Sequence, residues 1–190
     1  MRNLNLLLPI LLFKTVTCRF FDNLFPIPLV SSVDLKKYIG KWHQVGTSRS
    51  TKLFGTGVDY YNVTATYELQ KEYNNNITVL NEGYNSNEEF ENISGYSYCN
   101  NNDIPAKRKV HFTGVPVDGS YWIVKLEEEQ NQYEYAIIAG PLTRWFGTRF
   151  SLYVLARDIK IYKEKYEAEV KEWCKTNGFT NWWNCYVPTS

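Results

Sequence analysis

The chain is 190 residues long and carries 21 basic and 20 acidic residues, a formal net charge of +1. That length supports one domain with a sizeable core, and without a basic face or an RNA-reading motif the balanced charge argues against a nucleic-acid partner. Fifteen tyrosines and six tryptophans suit half-buried strands and the walls of apolar pockets.

Residues 1–18 read as a secretory signal peptide. Arg2 gives a short positive region, and Leu4 to Phe13 gives an apolar stretch too short to span a bilayer. Val16 and Cys18 are the small residues at the minus-three and minus-one places. Cleavage there removes Arg2 and Lys14 and leaves 19 basic and 20 acidic residues. Residues 19–190 then read as a single secreted domain. A lipoprotein signal would make Cys18 the lipidated residue, but Thr15 and Thr17 stand where Leu and a small residue are usual.

Secretion bears on two other features. Asn62-Val63-Thr64, Asn76-Ile77-Thr78 and Asn92-Ile93-Ser94 are acceptor sequences for N-glycosylation. Cys18, Cys99, Cys174 and Cys185 form no C-x-x-C pair, and only His43 and His111 are available as imidazoles. No metal site is expected, therefore, and a disulfide is the expected use of cysteine in an oxidising compartment.

In chain order, residues 19–39 form an irregular lead-in with Pro26 and Pro28. It closes on a helical turn over Asp34 to Ile39, capped by Ser32 or Asp34. Strand A covers about Trp42 to Thr47, and a Gly- and Ser-containing loop follows. Strand B covers Tyr60 to Lys71. Its alternation puts Tyr61, Val63, Ala65, Tyr67 and Leu69 on one face and Asn62, Thr64, Thr66 and Glu68 on the other. Strand C is Ile77 to Tyr84 and strand D is Glu91 to Cys99, with Gly95 as a bend. Strand E is Ala106 to Thr113, F is Tyr121 to Leu126, and G is Tyr133 to Ala139, ended by Gly140-Pro141. Strand H is Arg149 to Arg157. Eight short strands with turn signals between them predict an antiparallel barrel or a sandwich.

A helix follows from Asp158, its N-cap, to Gly178, its stop. Tyr162, Tyr166, Val170, Trp173 and Cys174 line one face of it. An immunoglobulin-type sandwich has no place for this helix, and the Cys–Trp–Cys spacing of such domains is missing. A barrel of about residues 40–157, a helix of about 159–177 and a tail of 178–190 is the expected order.

Gly40-Lys41-Trp42 at the first strand, Arg157 at the end of the last, and a single helix after it together resemble the lipocalins. The stretches Tyr121-Trp122-Ile123-Val124, Tyr135-Ala136-Ile137-Ile138 and Tyr153-Val154-Leu155-Ala156-Arg157 are similar to the bacterial outer-membrane and apolipoprotein-D-like branch. The likeness runs from about Asp34 to Phe179. It implies an all-β fold: an eight-stranded antiparallel up-and-down barrel with one C-terminal flanking helix. It also implies a guanidinium lying across the Trp42 ring at the closed end, a structural role for Gly40, Trp42 and Arg157. By the same likeness, Cys99 and Cys185 would pair and tie the tail to the barrel wall.

The implied function is binding and transport of one small hydrophobic molecule, such as a fatty acid, lysophospholipid or sterol, inside the barrel. Alternation nominates Tyr67, Val79, Trp122, Val124, Tyr135 and Tyr153 as inward, ligand-touching residues. Arg108, if inward, would meet an acidic headgroup. Two other readings stay open: a protein-binding lipocalin with a filled barrel, and a lipocalin-type enzyme acting on a lipid through a free Cys99. Peripheral membrane or receptor contact stays open as well. No enzyme signature is found. Gly46-Thr47-Ser48-Arg49-Ser50 lacks the closing glycine of a nucleophile elbow, and Gly55-Thr56-Gly57 lacks the third glycine of a dinucleotide loop. No cofactor is expected.

Overall fold

A computed structural model describes residues 27–52, 59–70, 75–100, 103–144 and 147–189. The signal-peptide reading of residues 1–18 and Cys18 lie outside this set. A short helix, α1 (Leu35–Tyr38), is capped by the Asp34 carboxylate, which accepts the Lys36 N–H. It leads into β1 (Gly40–Ser48), and α2 (Arg49–Thr51) follows directly. Then come β2 (Tyr60–Leu69), β3 (Ile77–Asn85), β4 (Phe90–Tyr98), β5 (Lys107–Phe112), β6 (Gly119–Glu129), β7 (Gln132–Arg144) and β8 (Gly147–Ala156). Each pairs antiparallel with the next, and β1 pairs with both β8 and β2, so the sheet closes into an eight-stranded barrel.

β7 continues through Gly140 and Pro141, which pair with Ser151 and Phe150, and so runs past its expected end. A side chain at Gly140 would lie 2.6 Å from Ser120 Cβ, so glycine serves close strand approach here and ends nothing.

A short ninth strand, β9 (Tyr186–Pro188), pairs with the upper part of β1, Gly46 to Ser48. β8 already occupies one edge of β1 there, so β9 takes the edge that β2 holds lower down. β2 is bulged between Tyr61 and Thr64, with Asn62 at φ +51°. Strand propensity alone gave no sign of β9, because its pairing needs a tail folded back by the helix.

That helix begins at Asp158, whose carboxylate accepts the Ile161 N–H. It runs as α3 (Ile159–Ile161), a π-helical stretch (Tyr162–Tyr166) and α4 (Glu167–Thr176). The barrel-facing residues Tyr162, Tyr166, Val170 and Cys174 are spaced by four. A spacing of four drifts around an α-helix, and the wider π turn takes back part of that drift.

Two apolar clusters result. One fills the barrel and includes Tyr38, Trp42, Tyr67, Ile77, Val79, Tyr121, Ile123 and Ile138. The other joins the barrel's outer wall to the helix and includes Val45, Ile137, Leu152, Val154, Tyr162 and Val170.

Candidate functional site: the barrel interior

The floor is built first. Gly40 takes φ +98°, and a Cβ there would sit 3.2 Å from the Arg157 guanidinium, so this position favours glycine twice over. Two residues on, Trp42 points inward and is fully buried, with its indole N–H donating to the Tyr38 carbonyl at 2.8 Å. Arg157 lies over that ring at 3.8 Å from its centroid. The guanidinium donates to the carbonyls of Lys41 at 2.8 Å, Ile39 at 2.8 Å, Lys37 at 3.0 Å and Tyr133 at 3.3 Å. Burial lowers its pKa, and the carbonyls supply the compensating negative ends that a buried cation requires. The Gly-Lys-Trp segment, the helical turn and the last barrel strand are thus tied together by one side chain.

Above the floor stands a chain of phenols. The Tyr38 and Tyr121 hydroxyls are 2.6 Å apart, and Tyr121 donates to Tyr67 at 2.9 Å. A hydroxyl has one proton, so Tyr38 must donate to Tyr121, and Tyr67 keeps its own proton free for another acceptor. Burial raises all three phenols, Tyr67 to about 12. Arg108 lies alongside at 2% exposure. It donates to Ser97 Oγ at 3.0 Å, to the Ser97 carbonyl at 3.0 Å and to the Asn75 carbonyl at 2.5 Å. Among the described residues no carboxylate pairs with Arg108. Burial lowers its pKa, and its charge and that of Arg157 are both felt at Tyr38.

Higher in the barrel the inward residues change character. Asn81, Ile93, Phe112 and Tyr153 face inward by register yet are only half-buried. The Asn81 side-chain oxygen is buried and has no donor. Burial alone pushes the Tyr153 phenol up to about 12.

Of the residues nominated from alternation, Tyr67, Val79 and Tyr153 belong to this interior, and Arg108 points into it. Trp122, Val124 and Tyr135 do not. They lie on the outer wall beneath the helix, while their neighbours Tyr121, Ile123, Ala136 and Ile138 face inward. For Trp122 and Val124 the cause is a bulge between Ile123 and Lys125 in β6; for Tyr135 it is a second irregularity, opposite Glu127 and Glu128, which puts Tyr133 inside and Tyr135 outside. Lys125 is outward, bound to Glu169 of the helix at 2.7 Å. Counting back from it by twos would put Ile123 outward, and the bulge breaks that count. Both faces of β6 and β7 are apolar because the helix covers one of them, so hydropathy could not reveal the slip. Tyr121 escapes notice for the same reason, and Tyr38 because it sits in the helical turn before β1, where strand alternation says nothing. The one available signal was the pairing of Arg108 with Tyr121 across β5 and β6.

A family model described as a lipocalin-like domain matches residues 33–182. The chain belongs to the lipocalin family. Outer membrane lipoprotein Blc of Citrobacter freundii is 32% identical over 139 residues, covering 73% of this chain and 70% of that protein. Temperature-induced lipocalin-1 of Arabidopsis thaliana is 28% identical over 151 residues, covering 76% and 73%. Among solved structures, insecticyanin from the tobacco hornworm Manduca sexta superimposes with a TM-score of 0.63 at 15% identity, covering 86% of this chain and 83% of that one. Lobster apocrustacyanin A1 does so at 0.57 and 16%, covering 81% and 77%. These two share the fold.

The disulfide expected from the lipocalin likeness is not formed: Cys99, Cys174 and Cys185 are free. Cys99 follows the lower end of β4, near the floor. Cys185 precedes β9, which meets β1 at its upper end. The two therefore sit at opposite ends of the barrel. The Cys99 thiol approaches the carbonyls of Asn100 and Ile104, and burial raises its pKa. Cys174 is buried under the helix, and its thiol is raised to about 12. Of the three glycosylation sequences, Asn62 and Asn92 are exposed and Asn76 is half-buried.

Proposed function

We propose that this lipocalin is a secreted carrier that holds one small hydrophobic molecule inside its barrel. A single observation supports this most: the inward residues are sealed at the floor and only half-buried above it. Trp42, Tyr38 and Ile77 at the floor are at 0% exposure, while Phe112, Ile93 and Tyr153 keep exposed surface although they face inward. A barrel filled with side chains would bury these residues as fully as the lower ones, so the filled-barrel reading is the weaker.

The polar groups set the ligand's orientation. Among the described residues the Tyr67 phenol proton has no acceptor and Arg108 is a buried positive charge with no carboxylate partner. An acceptor-headed amphiphile such as a fatty acid or lysophospholipid, entering head first, fits these groups better than a ligand with only donors. The enzyme reading has less support, because burial raises the Cys99 thiol's pKa, away from the thiolate that a nucleophile needs.

The test is native mass spectrometry of the purified full chain, with organic extraction of anything bound. A stoichiometric lipid, and displacement of a fluorescent fatty acid by it, is the expected result. A protein that carries nothing and fails to bind the fluorescent probe would end the carrier reading. Recovery of the chain from the culture medium tests secretion separately.

A further inference from the structure

On the wall turned away from the helix, three exposed rings form a row at the rim. Tyr61, Tyr84 and Phe90 are direct cross-strand neighbours on β2, β3 and β4. Tyr61 and Tyr84 stack at 5.7 Å and 22°, and Phe90 meets Tyr84 edge to face at 5.6 Å. Their exposures are 37%, 39% and 53%. Contiguous exposed rings of this kind mark a surface meant to be covered.

Asn92 stands two residues after Phe90, hence on the same outer face, and is exposed. It opens Asn92-Ile93-Ser94, and its cross-strand neighbour is Glu82, one step below Tyr84 on that face. We propose that Asn92 carries an N-linked oligosaccharide whose first sugars lie on Phe90 and Tyr84. The apolar C–H face of a hexosamine ring matches the electron-rich face of an aromatic ring. Transfer forms a bond from Asn92 Nδ2 to the sugar's anomeric carbon. It breaks that carbon's bond to a polyprenyl pyrophosphate donor, and the amide proton leaves with the pyrophosphate.

The other two sequences fit less well. Asn62 sits on the β2 bulge at positive φ, and the ring two residues before it, Tyr60, donates to Glu91 at 2.7 Å beside the inward Asn85. Asn76 is half-buried in the turn before β3, where its carbonyl accepts the Gln70 N–H. A membrane is a poorer occupant of the row, because Glu82 shares its face and Glu88 acts on Tyr61, and an anionic surface would repel both.

This inference rests on the secretory reading above, and the experiment separates the two. The full chain is produced in a eukaryotic secretory host as wild type, Asn92→Gln and Phe90→Ala. Site occupancy is read by peptide mass, and Tm is compared before and after enzymatic trimming of the glycan. Expected is an occupied Asn92 and a Tm that falls by roughly 2–4 °C on trimming, with no fall in Phe90→Ala. A chain retained in the cytosol would overturn the secretory reading. A secreted chain with Asn92 bare, or one whose Tm ignores trimming or falls equally in Phe90→Ala, would overturn the proposed seat alone. Binding of the bare row to anionic vesicles would reassign the row to a membrane and likewise overturn it.

Discussion

At the floor of the barrel all three guanidinium nitrogens of Arg157 meet backbone carbonyls and the Trp42 ring is fully buried. A few residues higher, the Asn81 oxygen has no donor and Tyr153 stays half-exposed on an inward face. Folding accounts for the first arrangement, since it satisfies every group it buries. It does not account for the second. An orphaned oxygen costs free energy that no partner within the described protein returns, and inward side chains left only half-buried above a sealed floor are the part that packing alone does not explain.

The largest expected effect falls on the floor. Trp42→Ala should lose about 3–5 kcal/mol in urea unfolding, the usual cost of deleting a buried large ring, and leave ligand preference unchanged. A stable Trp42→Ala protein with altered selectivity would place that ring in the ligand site and erase the contrast. The pair Ile137 and Ile138 sharpens the assignment of faces. Each cut to Ala should cost about 2–5 kcal/mol, but only Ile138→Ala should change affinity for a bound lipid in a titration. Equal changes from both would contradict the bulge-shifted register of β6 and β7.

Alkaline titration probes the inward phenols. Tyr67 and Tyr153 sit at about 12, above the ordinary 10.0. Between those values the folded protein holds protons that the unfolded chain has lost, so stability falls as pH rises. It should be full below pH 10 and drop progressively toward pH 12, with phenolate absorbance appearing together with loss of structure. Free titration of these phenols near pH 10 in the folded state would show bulk water in the barrel interior.

Tyr153→Phe should change stability by less than about 1 kcal/mol, because burial is the only influence on that hydroxyl, while weakening a ligand that accepts from it. The smallest effect is expected outside. Asp118 accepts from Tyr98 and pairs with His111 at 2.9 Å on the surface. Asp118→Asn should cost about 0–1 kcal/mol, as exposed pairs do. A larger loss in a denaturation curve would mean that the β5–β6 turn matters to the barrel as a whole.

Much of this was legible in the residues. Trp42 and Arg157 are separated by nearly the whole barrel, yet their chemical match is enough to mark both ends of it. Asp158 and Gly178 delimited the helix by local capping rules that need no tertiary context. What could not be read was the side on which a doubly buried strand points. Trp122, Val124 and Tyr135 are as apolar as the residues that line the interior, because the helix gives them a second core to join. Two irregularities in the β6–β7 pairing put them outside. The Cys99–Cys185 pairing failed for a related reason: strand direction sends the two cysteines to opposite ends, and no composition or spacing encodes direction around a closed sheet.

The ninth strand has a consequence for how the molecule is made. The upper edge of β1 is completed only by Tyr186–Pro188, with Tyr186 lying 141 residues from the Val45 carbonyl that it approaches. Closure of that seam is among the slowest contacts the topology contains, since distant segments meet late. Until it forms, Gly46 to Ser48 present an open strand edge, and such edges recruit other chains. A nascent or clipped molecule ending before Tyr186 would therefore tend to lend β1 to a neighbour, and the short tail strand guards the chain against that exchange.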